Sequence, residues 1–353
     1  MAGQPGENTN KQILMNSKKT SVGAVPRVLI LGTGSIGERH LRCFQKTGQC
    51  AVGVCELDDG LRADVSKRYS CEAFAGVDDA LESGEFSAVV ICTPAHTHIP
   101  LARRCLEAGL HVLIEKPLAV SLEGTSELAA EAEAAQREIR VAYIYRFLPV
   151  IRKARELLQS SRFGKIRHIV VCGGQHFPTF RPAYRSIYYA RRETGGGAIQ
   201  DALTHQIHAV EWMTAPVVRV VCHAAHQVLP DVEVEDTVNL SAVLSDGAMA
   251  SFSLNQFQAV NETILTFHGT RGSLRVELPL QRIGEFLNGA EAWQWEQLPA
   301  QERDAAFIDQ ALDFLKIVRG DPAISCPLSE GIQTLRVNLA ALRSDETRKE
   351  ICV

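Results

Sequence analysis

Residues Val28–His40 read VLILGTGSIGERH. An apolar run is followed by glycines at 32, 34 and 37, and then by a polar stretch with helical spacing. In a strand-to-helix turn each glycine of a G-x-G-x-x-G spacing has its own use. The first permits the tight bend, the second lets backbone N–H groups approach a pyrophosphate, and the third lets the helix pack close to the strand. The helix start adds oriented N–H donors and partial positive charge for the phosphates. Gly32, Thr33, Gly34, Ser35, Ile36 and Gly37 are therefore the expected dinucleotide loop. A plain turn is the other reading, and the residues that follow decide between them.

The next apolar run ends VGVCE, which puts Glu56 about 20 residues past the loop, where a carboxylate accepts the adenosine ribose hydroxyls. Leu57, Asp58 and Asp59 follow, so a 2′-phosphate would meet negative charge. NAD is the expected cofactor and NADP the less favoured one. Arg62 is the nearby cation that could fold back and change this.

Outward from the loop, short apolar runs alternate with helical stretches as far as residue 147. The runs RVLILG, CAVGVCE, FSAVVICTP, HVLIEKP and IRVAYIY are β-branched and do not alternate with polar residues. Strands of that kind are buried on both faces, which means a parallel, doubly wound sheet with helices on each side. Residues 26–147 are the expected Rossmann domain of an α/β protein. Beyond it the period changes. Val238, Leu240, Ala242 and Leu244 alternate with polar neighbours, and so do Ala248, Ala250, Phe252 and Leu254, around a turn at Ser245-Asp246-Gly247. Period two with one apolar face predicts an open, mainly antiparallel sheet. Residues 148–353 are the expected α+β domain for substrate and oligomer contacts.

Residues 1–25 are polar and rich in Gly, Asn, Ser and Lys, which predicts a disordered leader with too short an apolar island for a signal peptide. The net charge of −4 gives no global basic field, so nucleic acid is not an expected partner. No apolar run approaches the ~20 residues of a membrane span. The ten cysteines are scattered without a CxxC pair, which fits reduced thiols in the cytoplasm and no metal site. His223-x-x-His226 lies in a strand-like segment and is read as structural.

Two further constellations carry chemistry. Glu115-Lys116-Pro117 closes a predicted parallel strand, the end at which open α/β sheets bind ligands. A lysine there can hold a substrate hydroxyl, or act as a base with a lowered pKa beside a cationic nicotinamide. Pro117 can fix an unusual, even cis, backbone. A surface ion pair is the plain alternative. Further on, TGGGAIQDALTHQIHAVEW predicts a helix beginning just after the glycines. Asp201, His205 and His208 then share one helix face, Asp201 and His205 being placed to form a proton-transfer network. A satisfied core histidine and a stray HxxH metal pair are the alternatives.

GTGSIG, TPAHTH, EKPL, YRFLP and GGGAIQDALTH occur in this order from about Arg27 nearly to the C-terminus. In this the chain resembles the glucose–fructose oxidoreductase / inositol dehydrogenase / rhizopine-catabolism (Gfo/Idh/MocA) family. The resemblance implies an NAD-dependent oxidoreductase moving hydride between nicotinamide and a polyol carbon of a sugar, sugar derivative or inositol. It implies that Lys116, Asp201 and His205 are catalytic and that Thr93, Pro94 and His98 lie beside the cofactor. Glu115 would contact the nicotinamide ribose, and a homodimer or homotetramer is implied. Tyr145, Arg146, Arg181, Tyr184 and His208 are the expected substrate contacts, with Arg185 beside them. Two positions depart from the family pattern, Ile144 in place of Asn and His208 in place of Asp. Two other activities share the fold: retained-NAD chemistry without net redox, such as epimerisation or glycoside hydrolysis, and NAD sensing without catalysis.

Overall fold

The computed structural model describes residues 25–353. The expected leader lies, but for Val25, outside the described residues.

The first half builds six strands: β1 (Arg27–Leu31), β2 (Ala51–Cys55), β3 (Glu72–Phe74), β4 (Ala88–Ile91), β5 (His111–Ile114) and β6 (Ile139–Val141). The second builds eight: β7 (Ile166–Gly174), β8 (Val217–Ala225), β9 (Thr237–Leu244), β10 (Met249–Asn255), β11 (Glu262–Gly269), β12 (Gly272–Glu277), β13 (Arg282–Leu287) and β14 (Gln294–Gln297). Two short strands, β15 (Cys326–Pro327) and β16 (Ile351–Cys352), close the chain.

One sheet has the order β15-β6-β5-β4-β1-β2-β3 and is parallel except for β15. Val28–Leu31, Ala88–Ile91 and Val112–Ile114 are almost fully buried, as helices on both faces require. The order reverses direction at β1, where the strand after β1 and the strand after β3 lie on opposite sides. Ligands bind outside the carboxyl ends of strands at such a switch point.

The other sheet has the order β14-β13-β12-β11-β7-β10-β9-β8-β16. It is antiparallel apart from the β7–β10 pair. Val238, Leu240, Ala242 and Leu244 point into a core closed by the helices Pro149–Gln159, Thr204–Met213 and Leu328–Thr347. Cys172, Val221, Asn239, Ser241 and Ser253 face outward on the uncovered side.

The split at 147/148 needs a correction toward the C-terminus. Helix Ala305–Val318 packs Ala311, Phe314 and Leu315 against Val28, Ile30 and Phe44 of the first half. β15 joins the edge of the first sheet beside β6. Helix Leu328–Thr347 serves both cores: Leu328, Ile332 and Leu335 pack on the first sheet, Val337, Ala341 and Leu342 on the second. Amphipathic spacing marks a helix as buried on one face but does not say against which sheet.

Candidate active site

The glycine loop joins β1 to helix Ser35–Lys46. Gly32 has φ +82°, a conformation that side-chain-bearing residues rarely adopt. A Cβ on Gly37 would lie 1.9 Å from the Gly32 carbonyl oxygen, so helix and loop touch there. A Cβ on Gly34 would meet nothing within 4 Å. The space in front of Gly34 is open, and no side chain caps the helix start. Its N–H groups are left for an anion.

Glu56 stands at the end of β2 beside this space. Its Oε2 accepts from the Thr33 backbone N–H (2.7 Å) and hydroxyl (3.0 Å), and its Oε1 from the Asp58 N–H (3.1 Å). Burial raises the Glu56 pKa, but these donors outweigh it and hold the carboxyl below its ordinary value. Arg62 does fold back, onto the Glu56 carbonyl oxygen (2.9 Å) and the Asp59 carboxylate (2.5 Å). The cation that would welcome a 2′-phosphate is thus engaged by Asp59. Open cradle, uncapped helix start and fixed acid fit NAD.

The loop after β4 holds Thr93, whose hydroxyl bonds that of Thr97 at 2.6 Å, and the exposed Pro94. His98 does not face the cleft. It is buried, with Nε2 2.8 Å from the Thr93 carbonyl and Nδ1 3.1 and 3.2 Å from the carbonyls of Pro117 and Leu118. It braces the loop against the one after β5. Glu115 Oε1 lies 2.7 Å from His40 Nε2, and Oε2 accepts the Lys116 N–H at 3.0 Å. His40 ties the helix of the glycine loop to the Glu-Lys-Pro turn. Sequence spacing gave no sign of it, because the contact crosses 75 residues.

The Lys116–Pro117 peptide is cis. Lys116 Nζ donates to Asp201 Oδ1 at 2.9 Å and to the Asp201 carbonyl at 3.0 Å, and the Tyr188 hydroxyl is 3.5 Å away. The same hydroxyl donates to Asp201 Oδ1. Asp201 lies in a π-helical turn, Ile199–Leu203, which runs into helix Thr204–Met213, where a regular helix was expected. Asp201 does not hydrogen-bond His205 either; its Oδ1 takes Lys116 and Tyr188. Tyr188, absent from the expected set, belongs to the site; its stretch of short turns has no periodicity to announce it.

His205 is half-buried and stacks on Tyr145, with ring centroids 5.1 Å apart and an angle of 15°. Its Nδ1 is buried without a hydrogen-bond partner among the described residues. Burial, and then the Lys116 charge, push its pKa well below the ordinary value, so the ring is neutral. Two opposed causes set the Lys116 pKa. Burial would lower it, but Asp201 pushes it well above its ordinary value. Burial would raise the Asp201 carboxyl, but Lys116 and Arg181 hold it well below the usual carboxylate range. The site therefore holds an ammonium, a carboxylate and a neutral imidazole.

Arg181, an exposed residue, joins this charge cluster; the Asp201 charge raises its pKa. Four other residues expected at the substrate lie elsewhere. Tyr184 is buried with Phe177, Tyr189, Leu229, Val232 and Val234, and its hydroxyl donates to the Pro230 carbonyl (3.3 Å). Arg185 is exposed, over the Tyr184 ring. His208 and Arg146 form a separate buried unit. Arg146 Nε donates to His208 Nε2 (2.9 Å), Nη1 to the Ile324 carbonyl (3.0 Å) and Nη2 to Glu330. The His208 ring stacks on Tyr143 at 4.0 Å. The π-helical turn changes the phase between Asp201 and the two histidines, which keep the regular i, i+3 spacing of helix Thr204–Met213, and the Tyr143 ring packs edge-on to His205 and flat on His208. Cys326, Glu330 and His208 lie close enough together to form a metal triad, yet the Arg146 guanidinium bonds two of them and supplies the local positive charge. Ile144 is half-buried in the short turn Ile144–Phe147 and offers no polar group.

Comparison with known proteins places the two domains in one family. Residues 26–143 match the model of the GFO_IDH_MocA oxidoreductase family, NAD-binding Rossmann fold, and residues 151–275 match the GFO/IDH/MocA C-terminal domain. The chain is 25% identical to the rhizopine catabolism protein MocA of Rhizobium meliloti, over 89% of this chain and 93% of that one. It is 30% identical to an inositol 2-dehydrogenase of Leifsonia xyli over 53% of each chain. Levoglucosan dehydrogenase in complex with NADH shares the fold, with a TM-score of 0.84 and 19% identity over 93% of this chain and 99% of that one. The nucleotide cradle and the two matched domains make this chain a member of the Gfo/Idh/MocA family of oxidoreductases, with NAD as its cofactor.

Proposed function

We propose that the protein oxidises, or in reverse forms, a secondary alcohol on a sugar, sugar derivative or inositol, and that Lys116, Asp201 and His205 carry the reaction. One observation carries this reading: a cationic lysine, an ionised aspartate and a neutral histidine converge at the carboxyl end of β5. NAD, when bound, supplies the hydride acceptor. His205 is the proximal base, since a neutral imidazole can take the hydroxyl proton and a lysine held charged cannot. Lys116 donates a hydrogen bond to the substrate oxygen and stabilises the negative charge that grows there. Asp201 keeps Lys116 charged and in place. Tyr145 fixes the plane of the His205 ring, and Arg181 borders the substrate space. Acid–base assistance of this kind contributes about 10²–10⁴-fold. Inositol 2-dehydrogenase and UDP-N-acetylglucosamine 3-dehydrogenase among the relatives support a ring-carbon hydroxyl as the reacting group.

The uncovered face of the second sheet, with Val170, Cys172, Val221 and Met249 on it, supports assembly as a homodimer or homotetramer. Among the described residues no helix is long and apolar enough to cross a membrane. All ten cysteines are free thiols, which supports a reducing, cytoplasmic setting. The test of the main reading is the rise in reduced-nicotinamide absorbance over a panel of sugars, sugar acids, nucleotide sugars and inositols, with NAD and with NADP. A signal with NAD that Lys116→Ala abolishes is expected; equal turnover in wild type and Lys116→Ala would overturn it.

A further inference from the structure

An ammonium group has three N–H donors. Two from Lys116 go to Asp201, at 2.9 and 3.0 Å. The remaining acceptor is the Tyr188 hydroxyl at 3.5 Å. That distance lies beyond the usual 2.7–3.2 Å of an N–H···O bond, so the contact is the weakest of the three. We propose that the Tyr188 hydroxyl is a placeholder: in the free protein it fills the seat of the substrate's reacting oxygen on Lys116, and it yields that seat when substrate binds. The proposal rests on the reading that Lys116 holds the substrate oxygen.

Three features support it. Chemically, Tyr188 mimics the substrate group: burial pushes the phenol up to about 12, so it stays a neutral hydroxyl. Its proton goes to Asp201 Oδ1, which leaves its lone pairs to face Lys116. A substrate alcohol donating to the neutral His205 would likewise turn its lone pairs to Lys116. Structurally, Tyr188 sits in the short turn Tyr188–Ala190, outside the turn after β5 that carries Lys116 and the helical turn that carries Asp201. Its neighbour Tyr189 is anchored in the aromatic cluster with Phe177 and Tyr184. Tyr188 is only half-buried, so its ring can swing while the turn stays fixed. Energetically, the substrate oxygen replaces a long contact on Lys116 by a normal one, the phenol gives up its bond to Asp201 Oδ1, and Lys116 keeps its two bonds to Asp201.

The consequence concerns affinity. Each binding event must displace the phenol, so its hydroxyl weakens substrate binding. The test is Tyr188→Phe, which keeps the ring and removes the oxygen, assayed on whichever substrate the wild type turns over. KM is expected to fall about two- to tenfold, the range of one net hydrogen bond, with NADH affinity unchanged. An unchanged or higher KM would overturn the placeholder role, since a phenol that binds substrate directly must raise KM when removed. A second measurement needs no substrate. Crystals of the NAD-loaded protein are soaked in glycerol. In Tyr188→Phe a glycerol oxygen is expected on Lys116 Nζ where the phenol oxygen stood; a Lys116 without glycerol there counts against the proposal. Full turnover in Lys116→Ala would instead sink the underlying functional reading, so the two failures are distinct.

Discussion

Lys116 and Asp201 come from opposite halves of the protein, 85 residues apart, yet the lysine bonds both the carboxylate and the backbone carbonyl of the same aspartate. The pair fixes the charge state of the site as well as its geometry. Burial alone drives a lysine toward its neutral form, and the facing carboxylate is the main cause that holds it charged.

Asp201→Asn keeps the shape and removes that charge. The lysine pKa then falls, because burial is no longer opposed. Wild-type activity should show no loss from Lys116 deprotonation through alkaline pH. The variant should gain an alkaline limb, with activity falling as pH rises and the lysine loses its proton. The loss of turnover at neutral pH should be about 10²-fold or more, the scale of a removed electrostatic contact. A kcat/KM profile from pH 6 to about 10 checks it; superimposable profiles would contradict the pairing.

His205 titrates in the opposite sense. Its pKa lies well below the ordinary value because the ring is buried and faces Lys116. A base must be unprotonated, so activity should stay full through neutral pH and fall only in acid, with a midpoint below ~6.5. His205→Gln should remove that limb and cost about 10²–10⁴-fold in kcat. The same pH series on both proteins decides it, and a wild-type midpoint above ~6.5 would count against a buried neutral base.

How much of this was legible in the sequence follows from the range of the contacts involved. The glycine loop, Glu56 and the strand end at Lys116 are local features with fixed spacing, and they lie where that spacing put them. Asp201 and His205 stood out as candidates in the sequence, but their geometry did not. A regular helix puts Asp201, His205 and His208 on one face, and the π-helical turn at Ile199–Leu203 breaks that phase. His40, Tyr188 and the Arg146–Glu330 contact are long-range and follow no period. Tyr184 and Tyr188 sit four residues apart in one irregular segment, and no sequence rule says which faces the site and which the core. The return of residues 305–335 to the first sheet was hidden for the same reason.

The glycines of the loop separate binding from folding. Gly34→Ala places its methyl in open space at a permitted backbone conformation, so thermal stability should stay within ~0.5 kcal/mol of wild type. NADH affinity should fall at least tenfold, because the methyl occupies the approach to the pyrophosphate. Gly37→Ala drives a methyl into the Gly32 carbonyl, so it should destabilise the ligand-free protein by about 1–3 kcal/mol. Thermal melts and NADH fluorescence titrations of both variants check the contrast. Equal melting losses in the two would mean that Gly34 serves packing instead.

Arg146 gives a prediction about stability, with the sign set by its histidine partner. Its guanidinium is buried and joins His208, the Ile324 carbonyl and Glu330, tying the turn after β6 to the helix Leu328–Thr347. Arg146→Ala should cost about 1–3 kcal/mol at pH 8, the scale of lost bonds to buried groups, with substrate KM little changed. The deficit should shrink in acid. In the wild type, burial and Arg146 hold the His208 pKa well below ordinary, so the folded state binds no proton there. The unfolded histidine takes one below about pH 6.5, and wild-type stability from this group is lost as pH falls through that value. Without Arg146, His208 can also take a proton in the folded state and pair with Glu330, so the variant loses less. Denaturant unfolding of both proteins at pH 5 and pH 8 measures the difference. A stability gap that widens at pH 5 would show that Arg146 does not set the charge of His208.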